Sequence, residues 1–168
     1  LFPYYNGESE KTNLSLYCQL EDYHLIVPAY LEKLAAVLAS YGGTQRCIAD
    51  TSPLTERLLA VEAGLGFIGD NQCLIHPVYG SYCFIGAVLT TLPLTPDTPM
   101  DRECLHCGAC QRMCPGGCLS EGTYDYHLCK SYLTQKKEPL TDREMEVIAR
   151  TPLIFGCDEC QRVCPHNK

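Results

Sequence analysis

Cysteine spacing constrains this chain more than any other feature. Cys104, Cys107, Cys110 and Cys114 recur as C-x2-C-x2-C-x3-C, with Pro115 next. A second run, Cys157, Cys160 and Cys164 followed by Pro165, closes the chain. In such a run a tight loop turns its first cysteines toward one face of an iron–sulfur cubane. The last cysteine, just before proline, reaches a neighbouring cluster. Two runs therefore predict two [4Fe–4S] clusters with exchanged ligands. Zinc is the competing reading, but four ligands satisfy it, and it leaves the third cysteine step and the repeated C-x3-C-P without a purpose. Disulfides belong to oxidising compartments, and nothing in the sequence indicates secretion.

By exchange, Cys104, Cys107 and Cys110 are expected to pair with Cys164, and Cys157 and Cys160 with Cys114. The second set is one ligand short, and Cys118 and Cys129 are both candidates. Cys118 sits in the Gly116-Gly117 turn, which is expected to lead away from a cluster. Cys129 lies on a predicted helix that can fold back, and is favoured. The dispersed Cys18, Cys47, Cys73 and Cys83 fall mostly in apolar runs, where core packing is the better reading.

Nine of the 13 cysteines follow residue 103, so the excess is mainly local. The 168 residues can bury a core and hold one domain plus a small one. Formal net charge is −7, and two thiolate-bound clusters would bring it to about −11. That balance argues against broad electrostatic binding of nucleic acid. Arg102, Arg112, Lys130, Lys136, Lys137, Arg143 and Arg150 all lie in the C-terminal half. They read as solvated surface, with a local basic patch as the alternative. There is no apolar run of membrane-spanning length and no basic-then-apolar leader. A cytoplasmic, membrane-free and monomeric protein is expected. Starting at Leu1, the chain fits a fragment or a processed form.

In chain order, Leu1 to Tyr5 reads as the end of a strand or an extended entry segment, Gly7 to Asn13 as a polar loop, and Leu14 to Leu20 as ambiguous. Pro28 is expected to start a helix over Ala29 to Ser40, with Tyr30, Leu31, Leu34, Val37 and Leu38 on one face. Arg46 to Asp50 predicts a buried strand. Ser52 as cap and Pro53 at the first position predict a helix over Leu54 to Ala63. Gly64, Gly66 and Gly69 follow a helix instead of preceding one, so they predict a cap and a tight turn that admit close backbone approach, not a dinucleotide loop. Cys73 to His76 and Tyr82 to Thr90 read as strands joined in a hairpin by Pro77 to Ser81. Thr91 to Pro99, with three prolines, predicts a linker between a first domain over residues 1–95 and a cluster domain over 101–168. Short helices are expected near 107–113, 125–135, 141–149 and 158–163.

The series Asp50-Thr-Ser-Pro-Leu-Thr-Glu56-Arg, Ala63-Gly-Leu-Gly-Phe-Ile-Gly69-Asp-Asn71 and Gly80-Ser81, followed by Cys129-Lys-Ser-Tyr-Leu-Thr134 and Gly156-Cys-Asp-Glu-Cys-Gln-Arg-Val-Cys-Pro-His-Asn167, resembles epoxyqueuosine reductase. The resemblance covers nearly all of the chain. It implies an α+β fold: a cobalamin domain like those of nitroreductases and reductive dehalogenases, then a ferredoxin-like domain with two clusters. It implies an oxidoreductase that reduces the epoxide of epoxyqueuosine in tRNA to the alkene of queuosine, with an external donor such as ferredoxin or flavodoxin.

The resemblance carries the family's proton donor onto Asp50 and supports Cys129 as the eighth ligand. Gly64, Gly66, Asn71 and Ser81 are the expected cobalamin contacts. A carboxyl next to an apolar strand and under a corrin would keep its proton near neutrality. Neither His24 nor His76 is expected on cobalt, since the family generally binds cobalamin without a protein histidine. Lys130, Ser131 and Tyr132 are expected either to line the substrate entrance or to form a surface helix. The chain departs from the family's usual Trp and Lys at Phe67 and Asp70, and from Gly-Ser-Trp and Gly-Glu at Tyr82 and Ala87. The family's C-terminal helical repeats and the start of its cofactor domain have no counterpart. A short or truncated member is expected, with a related corrinoid reductase of a small substrate, or a ferredoxin-like electron carrier, as the alternatives.

Overall fold

A computed structural model describes residues 1–5, 7, 12–120 and 123–167. The expected polar loop over Gly7 to Asn13 lies largely outside the described residues. The architecture is mixed α/β, built on short antiparallel pairs. In chain order it runs β1 (Phe2–Pro3), α1 (Tyr23–Ala39), β2 (Gln45–Ile48), α2 (Glu56–Glu62), β3 (Phe67–Ile68), β4 (Leu74–Ile75), β5 (Cys83–Phe84) and β6 (Ala87–Thr90). The second half contributes α3 (Ala109–Met113), β7 (Leu119–Ser120), β8 (Thr123–Tyr124), α4 (Lys130–Leu133), α5 (Asp142–Ala149) and α6 (Glu159–Arg162).

The first helix starts earlier than Pro28 suggests. The Asp22 side chain accepts from the His24 amide and caps α1, and Pro28 lies inside the helix. Only Val27 and Leu31 are buried on it, against Ala49, Phe2, Phe84 and Val88. Tyr30, Leu34 and Val37, expected on the buried face, are exposed. The packed stripe descends from Val27 through Leu31, which is where β2 and β6 supply a partner surface. The β2 strand alternates and is not fully buried, with Arg46 exposed and Ile48 buried. The second helix begins at Glu56, because Ser52 accepts from the Leu54 amide in a local turn and Thr55 takes the cap position.

The hairpin expected across Pro77 to Ser81 does not form between the two strands. His76 and Gly80 exchange backbone hydrogen bonds of 2.8 and 2.9 Å, which closes the turn. Beyond it the strands separate: β4 pairs back with β3, β5 with β1, and β6 with β2. Between β5 and β6, Gly86 lies close against α1, where a Cβ would lie 2.7 Å from Val27 and 2.9 Å from Leu31. At Gly66 a Cβ would lie 2.3 Å from the Ile75 carbonyl oxygen. The close partner is therefore the neighbouring strand. Gly66→Ala is expected to destabilise the protein by about 1–3 kcal/mol through overpacking, readable as a lowered thermal midpoint.

No helix or strand occurs over residues 91–108 among the described residues, in keeping with the proline-rich composition there. The four predicted C-terminal helices appear as α3, a 3-10 turn plus α4, α5 and α6, while the β7–β8 pair was not anticipated. A capping box between Thr141 and Glu144 opens α5.

The two halves interlock. Ser81 donates its amide to Asn167 Oδ1 at 2.6 Å, and Gln161 Nε2 donates to both oxygens of Ser81 at 3.0 Å. The Leu16 amide donates to Asp158 at 2.8 Å. The closing cysteine segment is thereby pinned against the first half.

Candidate metal centres and active site

The thirteen cysteines carry no disulfide, and ten of them border two cavities. Cys104, Cys107, Cys110 and Cys164 line the first, where α3 packs on α6. The loop into α3 turns through left-handed backbone at His106 (φ 48°) and Gly108 (φ 67°), which brings its thiols onto one side. His166 lines the same cavity, and its Nε2 is buried without a hydrogen-bond partner. Asp70 accepts from His106 Nδ1 at 2.9 Å beside Cys104.

The second cavity, of about 220 Å³, is lined by Cys114, Cys129, Cys157 and Cys160 and by two further thiols, Cys118 and Cys73. The Gly116-Gly117 turn does not lead away. Gly117 is left-handed, Gly116 packs under the Leu128 carbonyl, and the Cys118 amide donates to Cys114 Sγ at 3.4 Å. Hydrogen bonding from the Cys118 thiol, helped by backbone amides, holds Cys114 and Cys129 below the usual thiol range despite burial. Metal ligation requires that thiolate form. Cys73 is not simple core packing. It faces Cys160 at the cavity wall, and Asn71 holds the pair by accepting from the Cys73 amide at 3.2 Å and donating to the Cys160 carbonyl at 3.5 Å.

Lys130 belongs to neither a surface helix nor a basic patch. It is 1 % exposed, and its ammonium donates to the Ile148 carbonyl at 2.6 Å, the Thr151 carbonyl at 3.0 Å and the Thr151 hydroxyl. It ties the end of α5 to the wall of the second cavity, where burial depresses its pKa. Lys130→Met would strand three buried acceptors. It is expected to cost about 2–4 kcal/mol, checked by thermal unfolding of the iron-loaded protein.

A third cavity of about 480 Å³ shares Tyr17, Arg57, Gln72, Cys73 and Gln161 with the second. A fourth, of about 600 Å³, shares Tyr17, Tyr23 and Asp50 with the third. Asp50 thus stands between the two large spaces. It ends β2 in a left-handed conformation (φ 58°), and Glu56 secures it by accepting the Asp50 amide at 2.8 and 3.1 Å. A non-glycine residue persists in that region only when its surroundings over-determine it.

The apolar shelter expected around Asp50 is not formed by the described residues. Its side chain is 59 % exposed, and its partners are Tyr23 Oη at 2.9 Å and His24 Nε2 at 3.2 Å. Sequence reading missed both partners. Asp22, then Asp50, raise the pKa of the exposed His24 by hydrogen bonding. Tyr23 also stacks on Phe84 at 4.4 Å. His76 is spent on the amides of Val78 and Tyr79.

Of the four expected cobalamin contacts, only Ser81 lines the third cavity. Its hydroxyl is already bonded to Gln161 and Asn167. Gly64 and Gly66 are filled against by the Thr98 and Ile75 carbonyls, and Asn71 borders the cysteine cavities. Glycines after a helix serve chain packing here, which local spacing alone does not separate from a ligand cradle. The residues that do line the space include Tyr4, Tyr17, Tyr23 and Phe84. The chain's 11 tyrosines and absence of tryptophan were the available signal.

Residues 103–167 match the model of a 4Fe-4S double cluster binding domain. The chain is 37 % identical over 150 residues to the epoxyqueuosine reductase of Listeria monocytogenes, covering 88 % of this chain and 39 % of that protein. It is 34 % identical over 163 residues to that of Escherichia coli, covering 92 % and 41 %. The fold superposes on the epoxyqueuosine reductase of Streptococcus thermophilus with a TM-score of 0.87 at 31 % identity, over 99 % of this chain and 47 % of that one. It also matches an epoxyqueuosine reductase solved with an epoxyqueuosine-modified tRNA stem loop, with a TM-score of 0.80 at 34 % identity, over 88 % and 39 %. The chain therefore spans about two-fifths of the length of the curated relatives it matches. No helix among the described residues is long and apolar enough to cross a membrane. By sequence and by fold, this chain is similar to about two-fifths of an epoxyqueuosine reductase.

Proposed function

We propose that this chain is the reducing core of a cobalamin-dependent epoxyqueuosine reductase, acting on the epoxide of epoxyqueuosine in tRNA. The observation that carries the reading is the order of the four cavities. The first cysteine-lined space meets the second at Asn71, the second adjoins the 480 Å³ space, and Asp50 divides that from the 600 Å³ space. Its division into a cobalamin-binding part over 1–95 and a cluster part over 101–168 belongs to the same proposal.

The donor chemistry suits two cubanes. Each cavity offers at least four thiols, Cys104, Cys107, Cys110 and Cys164 in one and Cys114, Cys129, Cys157 and Cys160 in the other. The orphaned His166 Nε2 at the first supplies a donor for a cluster sulfur. Clusters held there would supply electrons one at a time from an external donor. The 480 Å³ space, walled by tyrosines and free of histidine among its described lining residues, suits a corrin without a protein imidazole on its metal. Tyr4, Tyr17, Tyr23, Phe84 and Ser81 would border it. Cobalamin bound there would supply a strongly nucleophilic reduced metal centre.

Removing the epoxide oxygen breaks two C–O bonds and forms one C=C bond, consuming two electrons and two protons and releasing water. Asp50 is positioned to protonate the leaving oxygen from the wall between the two spaces. Tyr23 and His24 hold its carboxyl and connect it to solvent for reprotonation. Glu56 keeps the loop in place.

The test is anaerobic purification, addition of cobalamin, metal analysis and an assay on epoxyqueuosine-containing tRNA. About eight irons with one retained cobalt per chain, and conversion to queuosine, are expected. Eight irons without cobalt would leave an electron carrier, retained cobalt without conversion would point to another substrate, and zinc in place of iron would end the reading.

A further inference from the structure

The second cysteine cavity holds more thiols than a cubane can use. A [4Fe–4S] cluster takes four cysteines, yet Cys73, Cys114, Cys118, Cys129, Cys157 and Cys160 all line this one space. The family resemblance accounts for four of the six. Of the other two, Cys118 is the better placed. It is 5 % exposed, its Sγ lies 3.2 Å from Cys114 Sγ, and it is within side-chain hydrogen-bonding reach of Cys129. The glycine turn before it curls inward, and Leu119 seals it from solvent in the same packed cluster as Cys114 and Cys129.

We propose that Cys118 is a reserve ligand of the second cluster, able to take the iron of Cys129 when that thiol is lost. This rests on the two-cluster reading above. In the exchange the Fe–S bond to Cys129 breaks, the released Cys129 thiolate takes the proton of the neighbouring Cys118 thiol, and a new Fe–S bond forms to Cys118. No electron is gained or lost. Backbone geometry permits it because Cys118 and Cys129 approach the cavity from adjacent strands of chain, held together by the Asp125 amide donating to the Cys118 carbonyl at 3.0 Å. Cys157, unlike Cys129, has no side-chain hydrogen bond with another thiol among the described residues, so it serves as the contrast.

The experiment compares iron content and low-temperature electron paramagnetic resonance of the anaerobically loaded protein in four forms: unaltered, Cys129→Ala, Cys157→Ala, and Cys129→Ala with Cys118→Ala. About eight irons in the unaltered chain establish the starting reading, and its failure there is separate from failure of the proposal. Cys129→Ala is expected to keep about eight irons with an altered second-cluster signal, while Cys157→Ala and the double variant fall to about four. Cys129→Ala falling to four with the first cluster intact would overturn the proposal. So would a double variant that keeps eight, which would point to Cys73. If Cys129→Ala does not accumulate, iron release to a chelator decides. Cys118→Ala is expected to lose its second cluster faster than the unaltered protein, and equal rates would overturn the proposal.

Discussion

Asp50→Asn is expected to lower the rate of epoxide reduction by about 10²- to 10⁴-fold, with iron and cobalt content unchanged. Asparagine keeps the size of the side chain and an oxygen that can accept from Tyr23 Oη, so the contact at 2.9 Å has a substitute. Its amide does not carry a transferable proton. The hydrogen bonds from the Asp50 amide to Glu56 use the backbone and survive the change. The left-handed φ of 58° is also tolerated by asparagine. The loss would therefore report on the proton and not on the loop. Single-turnover assay of the loaded protein measures it. Full activity in Asp50→Asn would remove Asp50 from the chemistry and move attention to Tyr23 and His24, which reach the same space.

The second large effect concerns Cys164. Cys164→Ala is expected to reduce iron from about eight to about four per chain and to expose residues beyond 100 to protease. Cys164 is the one thiol of the first cavity contributed from the far end of the chain, following α6, while Cys104, Cys107 and Cys110 come from the α3 region. A cluster there would cross-link two segments separated by more than forty residues. Metal binding in small domains of this kind supplies folding free energy on the order of 10 kcal/mol, and the apolar core beside these cysteines is small: only Cys110, Cys118 and Leu119 are buried in that group. Retention of eight irons in Cys164→Ala would refute the exchanged arrangement.

Several features were legible without a structure because their physics is local. The x2 and x3 spacings bring thiols onto one side of a turn whatever surrounds them. The helix expected near 141–149 forms as α5, opened by a capping box of Thr141 and Glu144 that was not anticipated. Proline at 93, 96 and 99 keeps the connecting segment free of helix and strand among the described residues. Cys104, Cys107, Cys110 and Cys164 line one cavity, and Cys114, Cys129, Cys157 and Cys160 line the other together with Cys73 and Cys118.

What the sequence by itself determined, then, was the chemistry available: a set of thiolates at cluster spacing, a carboxylate in a proline-marked turn, and a resemblance to epoxyqueuosine reductases through motif order. Tertiary structure alone decided which neighbours those groups have. Cys118 enters the second cavity because two glycines permit an inward turn under the Leu128 carbonyl, and Cys73 joins it across a sequence distance of 87 residues from Cys160. Lys130, written like a surface lysine, is buried because two carbonyls and a hydroxyl near the end of α5 converge on it. Asp50 meets Tyr23 and His24 because α1 starts at its Asp22 cap, six residues before the proline that local reading takes as its beginning. Spacing specifies short-range geometry, whereas burial and partner choice arise from long-range packing, which no local pattern encodes.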